Sequence, residues 1–155
     1  MLEECKTAQE RWGGVSNIID RWLQERRTML VQYTGLANRK DLDGRIPAHS
    51  QSVLEFCQIL VDYISTGHFE VYEQLVKEGD EFKDTEGLEV AEELYKVIDA
   101  TTEQILDFND KYQTPDDLKT IATDLSQLGE QLSTRFEAED CMINVLHTSH
   151  GTIAS

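Results

Sequence analysis

The 155 residues carry 14 Lys plus Arg against 30 Asp plus Glu, a net charge of −16. Such a surface repels phosphate, so the expectations are no direct DNA or RNA binding, no membrane surface and attraction for a basic protein partner. The length suits one domain able to bury a core without disulfides or metal, and three scattered cysteines without a CxxC fit a reducing cytoplasm.

The charge is uneven. Residues 1–47 hold eight basic and seven acidic residues, which leaves six basic and 23 acidic in 48–155. Two readings of that acidity stand: solubility alone, or a docking surface for a basic domain. The start, MLEECKTAQE, lacks the basic-then-apolar order of a signal peptide, so a cytoplasmic location is expected.

Taken in chain order, a short helix over 2–11 comes first, with Gly13-Gly14 expected to break or bend the chain. Apolar residues then recur at three- and four-residue steps. In 14–37 they include Val15, Ile19, Trp22, Met29 and Leu36. The turn-rich stretch 35–47 reads as a loop, and Pro47 suits the first turn of a helix over 48–77. That helix carries Val53, Cys57, Leu60, Ile64, Val71 and Leu75 on one side. After a charged loop over 77–87, Ala91, Leu94, Ile98, Ile105, Phe108 and Tyr112 mark a helix over 88–112. TPDD (114–117) offers a cap, a proline and two acids to open a last helix over 115–146, with 148–155 as a flexible tail. No alternating strand pattern appears. The fold class is all-α, an elongated antiparallel four-helix bundle with a short extra N-terminal helix, as one domain over 1–147.

Arg26 and Arg135 fall on apolar lines. Either their stems cover the core edge while the heads reach water, or they form buried ion pairs, Arg135 with Glu139 one turn on. Trp12 and Trp22 read as packing residues.

Chemistry-bearing motifs are absent. No GxxxxGK, HExxH, GxSxG or Cys/His cluster occurs, and no Glu-x-x-His supports a di-metal bundle, so no catalysis, metal or cofactor is expected. His147 and His150 at the helical end read as a frayed tail rather than a metal site. A phosphotransfer role for His68 is opposed by Glu70 and Glu73, which would repel a phosphoryl group.

One stretch asks for more. In LVDYISTGHFEVYEQL (60–75), Gly67 falls on the apolar side, where a neighbouring ring or helix can approach closely. Asp62, Ser65, Thr66, Phe69 and Glu73 fall on the other side, with His68 at the border. An aromatic ring among hydroxyls and acids either packs beneath another segment or anchors a partner carrying an apolar notch with Arg or Lys around it.

VDYISTGHFEVYE (61–73), with IIDRWLQER (18–26) and LGEQLSTRFEAED (128–140), resembles the Rsd/AlgQ family of bacterial anti-sigma factors over nearly the whole chain. The opening MLEECKTAQERWGGV looks closest to the AlgQ branch, associated with exopolysaccharide and siderophore regulation. The resemblance implies a cytoplasmic helical protein that binds region 4 of the primary sigma factor, a basic helix-turn-helix domain. Covering that domain blocks its contacts with core RNA polymerase and the −35 element and favours alternative sigma factors. Carried over by motif position, the sigma-contacting face falls on Asp62, Ser65 and Phe69. The alternative function is an acidic helical adaptor for another basic partner.

Overall fold

Five α-helices carry the chain: α1 (Leu2–Ala37), α2 (Pro47–Thr66), α3 (Tyr72–Glu81), α4 (Thr85–Lys111) and α5 (Ile121–Ile143). Two widened π turns join them, Gly67–Val71 between α2 and α3, and Asn144–Thr148 after α5. These assignments come from a computed structural model, which describes residues 2–149, with side chains placed from residue 14 onward. No strand occurs among the described residues.

α2, the first π turn and α3 form one rod, and neighbouring rods run antiparallel, as the side chains that meet show. Trp22 meets Tyr63 and Tyr33 meets Phe56 across α1 and α2. Phe56 meets Phe108 across α2 and α4, and Arg135 meets Thr101 across α5 and α4. Arg26 meets Asp140 and Tyr33 meets Leu125 across α1 and α5. Short connections between rods of this kind enforce the up-down-up-down order. Apolar faces of all four rods fill the centre, with Trp22, Met29, Phe56, Leu60, Ile98, Ile105, Leu125 and Leu132 buried. Cys57 behaves as one of these small core groups, and burial pushes its thiol up to about 11.

The backbone departs from the expected bounds in four places. Gly13-Gly14 does not break the chain: helical conformation continues through it, because a helical glycine costs only about 1 kcal/mol, less than the surrounding helix returns. The loop expected over 77–87 shrinks to 82–84, where Asp84 caps α4 by accepting from the Gly87 N–H at 2.9 Å. TPDD does not open α5, which starts at Ile121. Instead Pro115 and Asp116 lie against the first turn of α2 and the loop before it: Ser50 Oγ donates to the Pro115 carbonyl at 2.9 Å, and a Cβ on Gly44 would sit 2.2 Å from the Asp116 oxygen. Leu118 is thereby drawn into the core. Finally, the helix expected over 48–77 contains the π turn, whose extra residue shifts the apolar phase after Gly67. Helical conformation also continues through 148, so His147 is not frayed; Trp12, Cys5 and residues 150–155 lie outside the described side chains.

Candidate protein-docking face and the polar core beneath it

Gly67 opens the first π turn because nothing larger fits there. A Cβ would stand 2.9 Å from Trp22 Cζ2 and 3.2 Å from Tyr72 Oη. The indole cannot yield. It is stacked on Tyr63 at 4.7 Å, and its Nε1 donates to the Tyr63 carbonyl at 3.0 Å. The turn closes through the Tyr72 N–H to the Gly67 carbonyl, five residues apart. Val71 points inward while His68 and Phe69 are left at the surface.

Phe69 is 69% exposed, the only aromatic ring among the large exposed apolar side chains described, so it packs beneath no other segment. Beside it lies a groove of about 220 Å³ on the seam between α2 and α4. Ser65, His68 and Phe69 line one wall, and Tyr95, Asp99 and Leu106 line the other. The His68 ring stands edge-on to Phe69 at 4.8 Å, with its Nδ1 3.3 Å from Tyr95 Oη. Leu106 is itself 40% exposed.

The face expected from the helical wheel therefore divides along the ridge of Phe69. Ser65, His68 and Phe69 face α4. Thr66 turns toward α1, into a hollow shared with Ile18, Arg21, Trp22, Glu25 and Glu70. Asp62 belongs to that side too: partial burial, then the Asp62 and Glu70 carboxylates, hold the Glu25 carboxyl above its ordinary value. Glu73 joins neither group and reaches Lys77 at 3.5 Å on α3. The α4 residues of the groove were missed by the sequence reading, which treated one helix at a time.

Directly under this face runs a buried polar network. Glu139 on α5 accepts from Tyr63 Oη at 2.7 Å and, through a very short contact, from Tyr72 Oη. Arg135 Nε lies 3.3 Å from the same carboxyl, and Arg26 Nη2 lies 3.4 Å from it. Arg135 Nη1 donates to Thr102 Oγ1 at 2.9 Å, Thr101 Oγ1 at 3.2 Å and the Ile98 carbonyl at 3.4 Å, and its Nη2 donates to Tyr72 Oη at 3.2 Å. Both side chains of the Arg135–Glu139 pair are at most 1% exposed, so the buried-pair reading holds. Arg26 is intermediate: it pairs with Asp140 at 2.6 Å and lies over the Phe136 ring at 4.5 Å. Burial pushes the Glu139 carboxyl above its ordinary value, yet every partner around it is a donor, so the ionised form satisfies the site. Burial, then the adjacent carboxylate, raises the Tyr63 and Tyr72 phenols, which stay protonated and donating. Tyr63 precedes the π turn and Tyr72 follows it, so one carboxylate brackets the turn that presents Phe69.

Among the described residues no group of three His, Cys, Asp or Glu is placed to hold a metal, and no helix is long and apolar enough to cross a membrane.

Residues 1–147 match the family described as regulator of RNA polymerase sigma(70) subunit, Rsd/AlgQ. The chain is 35% identical over 148 residues to the regulator of sigma D of Enterobacter sp. (strain 638), covering 92% of this chain and 88% of that protein. It is 34% identical over 152 residues to the regulator of sigma D of Pectobacterium carotovorum subsp. carotovorum (strain PC1), covering 95% and 99%. Against the protein of that name from Yersinia enterocolitica serotype O:8, identity is 32% over 148 residues, covering 92% and 88%.

Proposed function

The chain belongs to the Rsd/AlgQ family of regulators of the RNA polymerase sigma(70) subunit, and on that premise we propose that it docks region 4 of the primary sigma factor on the Phe69 face. It is an anti-sigma-type regulator; region 4 and the contact residues are the finer reading. The single observation that carries it is Phe69, 69% exposed beside an open groove and held there by a buried bracket.

The physics suits a basic helix-turn-helix domain. Such a domain presents Arg and Lys to phosphates, and carboxylates can occupy the same cations. Asp62, Glu25 and Glu70 crowd one flank of Phe69, and Asp99 lies on the other. Cations brought there relieve the repulsion among the first three, so attraction steers the encounter and weakens with salt. Ser65 and Thr66 supply hydroxyls at the rim. The phenyl ring and Leu106 supply apolar burial that salt does not erase. An occupied region 4 is withheld from both core polymerase and the −35 element, which leaves core to alternative sigma factors.

Titration of isolated region 4 against the full chain tests this. Phe69→Ala is expected to weaken binding by about 2 kcal/mol or more, with the melting temperature unchanged. Equal affinity for parent and variant removes Phe69 from the interface.

A further inference from the structure

The Phe69 groove is half of a longer trough. A second hollow of about 320 Å³ continues it along the same seam and shares two of its walls, Tyr72 and Tyr95. Val76, Leu88, Ala91 and Met142 make the second hollow apolar, and Glu92 adds a carboxylate. The seam stays open because small residues line it: Ser65 and Thr102 at the first hollow, Ala91 at the second. On α4 the trough runs from Leu106 to Leu88, about 27 Å at 1.5 Å per residue.

Two exposed apolar side chains mark its α2–α3 wall, Phe69 at 69% and Val76 at 43%. They lie seven residues apart, about 10.5 Å along a helix. An α-helix laid alongside offers two side chains on one face at the same spacing, i and i+7. A strand offers same-face side chains at about 7 or 13 Å, which matches neither hollow. Charge selects a basic occupant. Asp99 lines the first hollow and Glu92 the second, while Lys96 between them is engaged with Glu93 at 3.1 Å.

We propose that the trough takes one amphipathic helix of the basic partner. One apolar side chain enters beside Phe69 and a second, two turns on, enters against Val76 and Leu88, with Lys or Arg flanking both to meet Asp99 and Glu92. The proposal rests on the reading of Phe69 as the docking anchor.

The experiment is a fluorescence anisotropy titration of labelled region 4 of the primary sigma factor into the full chain, comparing Val76→Asn, Phe69→Ala and Val31→Asn. Val31 is 72% exposed on α1 and serves as the control for an apolar loss off the trough. Thermal melts confirm that each variant is folded. The proposal predicts that Val76→Asn raises the Kd at least about fivefold, Phe69→Ala raises it more, and Val31→Asn leaves it unchanged. A loss with Phe69→Ala alone means that the partner stops at the first hollow; the trough is then wrong and the docking face stands. No loss with either trough variant overturns both. Equal losses with Val76→Asn and Val31→Asn overturn the trough as well, since the effect is then not local to it.

Discussion

At Gly67–Val71 the extra residue of a π turn leaves Phe69 and His68 at the surface; at Asn144–Thr148 the same backbone device turns His147 back onto the bundle. His147 Nδ1 lies 2.8 Å from Glu78 Oε2, and its Nε2 lies 2.8 Å from Ser16 Oγ. Each turn is thus held by one buried carboxylate, Glu139 or Glu78. What differs is the partner set. Glu139 is ringed by two phenols and two guanidiniums, so the first turn is clamped from α1 and α5 as well as from its own rod. A π turn alone says nothing about purpose. The first combines a rigid foundation with an outward ring, which suits recognition, whereas the second fastens α5 to α1 and α3.

The largest effect expected to test this contrast is at Glu139. Glu139→Ala strands the Arg135 guanidinium in the core, and a buried charge deprived of its partner costs about 3–5 kcal/mol. Urea unfolding at neutral pH measures it. The loss should exceed that of any single substitution at Ser16, Glu78 or His147. A smaller loss at Glu139 would make the two foundations equivalent and remove the reason given for the first turn's rigidity.

Gly67→Val sharpens the comparison by separating fold from function. The added methyls meet an indole fixed by stacking and a hydrogen bond, so the cost is that of overpacking, about 2–3 kcal/mol. Gly67 is itself buried. Binding of region 4 by the variant, measured where it is still folded, is nevertheless expected to fall, since the turn that aims Phe69 must shift. Unchanged affinity would show that Phe69 finds its place without the turn.

How far the sequence reached follows the same line. Apolar residues at three- and four-residue steps made the rods legible. The pairing of Arg135 with Glu139 was one of two readings open in the sequence, because the two lie one turn apart with Arg135 on an apolar line, and burial decides for the pair. Val53, Cys57, Leu60 and Ile64 precede the π turn, and Val71 and Leu75 follow it; all six are buried as expected. Tyr72 escaped, because the inserted residue moves the apolar side by about one position; Tyr63, before the turn, lies off the centre of that side, and Glu78 falls in the stretch expected as a loop. Phe69 sits only two residues past Gly67, before that error grows. Tyr95, Asp99 and Leu106 were invisible for another reason: which faces of α2 and α4 oppose each other is decided by tertiary packing, with no trace in either segment's own periodicity.

The smallest expected effect is at Ser16, where the second turn meets α1. A carboxylate only accepts, so His147 Nδ1 carries a proton toward Glu78 and leaves Nε2 to the Ser16 hydroxyl. Ser16→Ala removes that hydroxyl. The site is partly open, so water can replace it, and one neutral hydrogen bond contributes about 1 kcal/mol or less. Val15 and Ile19 remain buried on either side and keep α1 in register. The denaturation midpoint should therefore move slightly, and affinity for region 4 not at all, because neither Ser16 nor His147 lines the Phe69 trough. Loss of affinity in Ser16→Ala, alongside that in Gly67→Val, would mean that the two π turns respond together, and the division between an anchoring turn and a presenting turn would have to be abandoned.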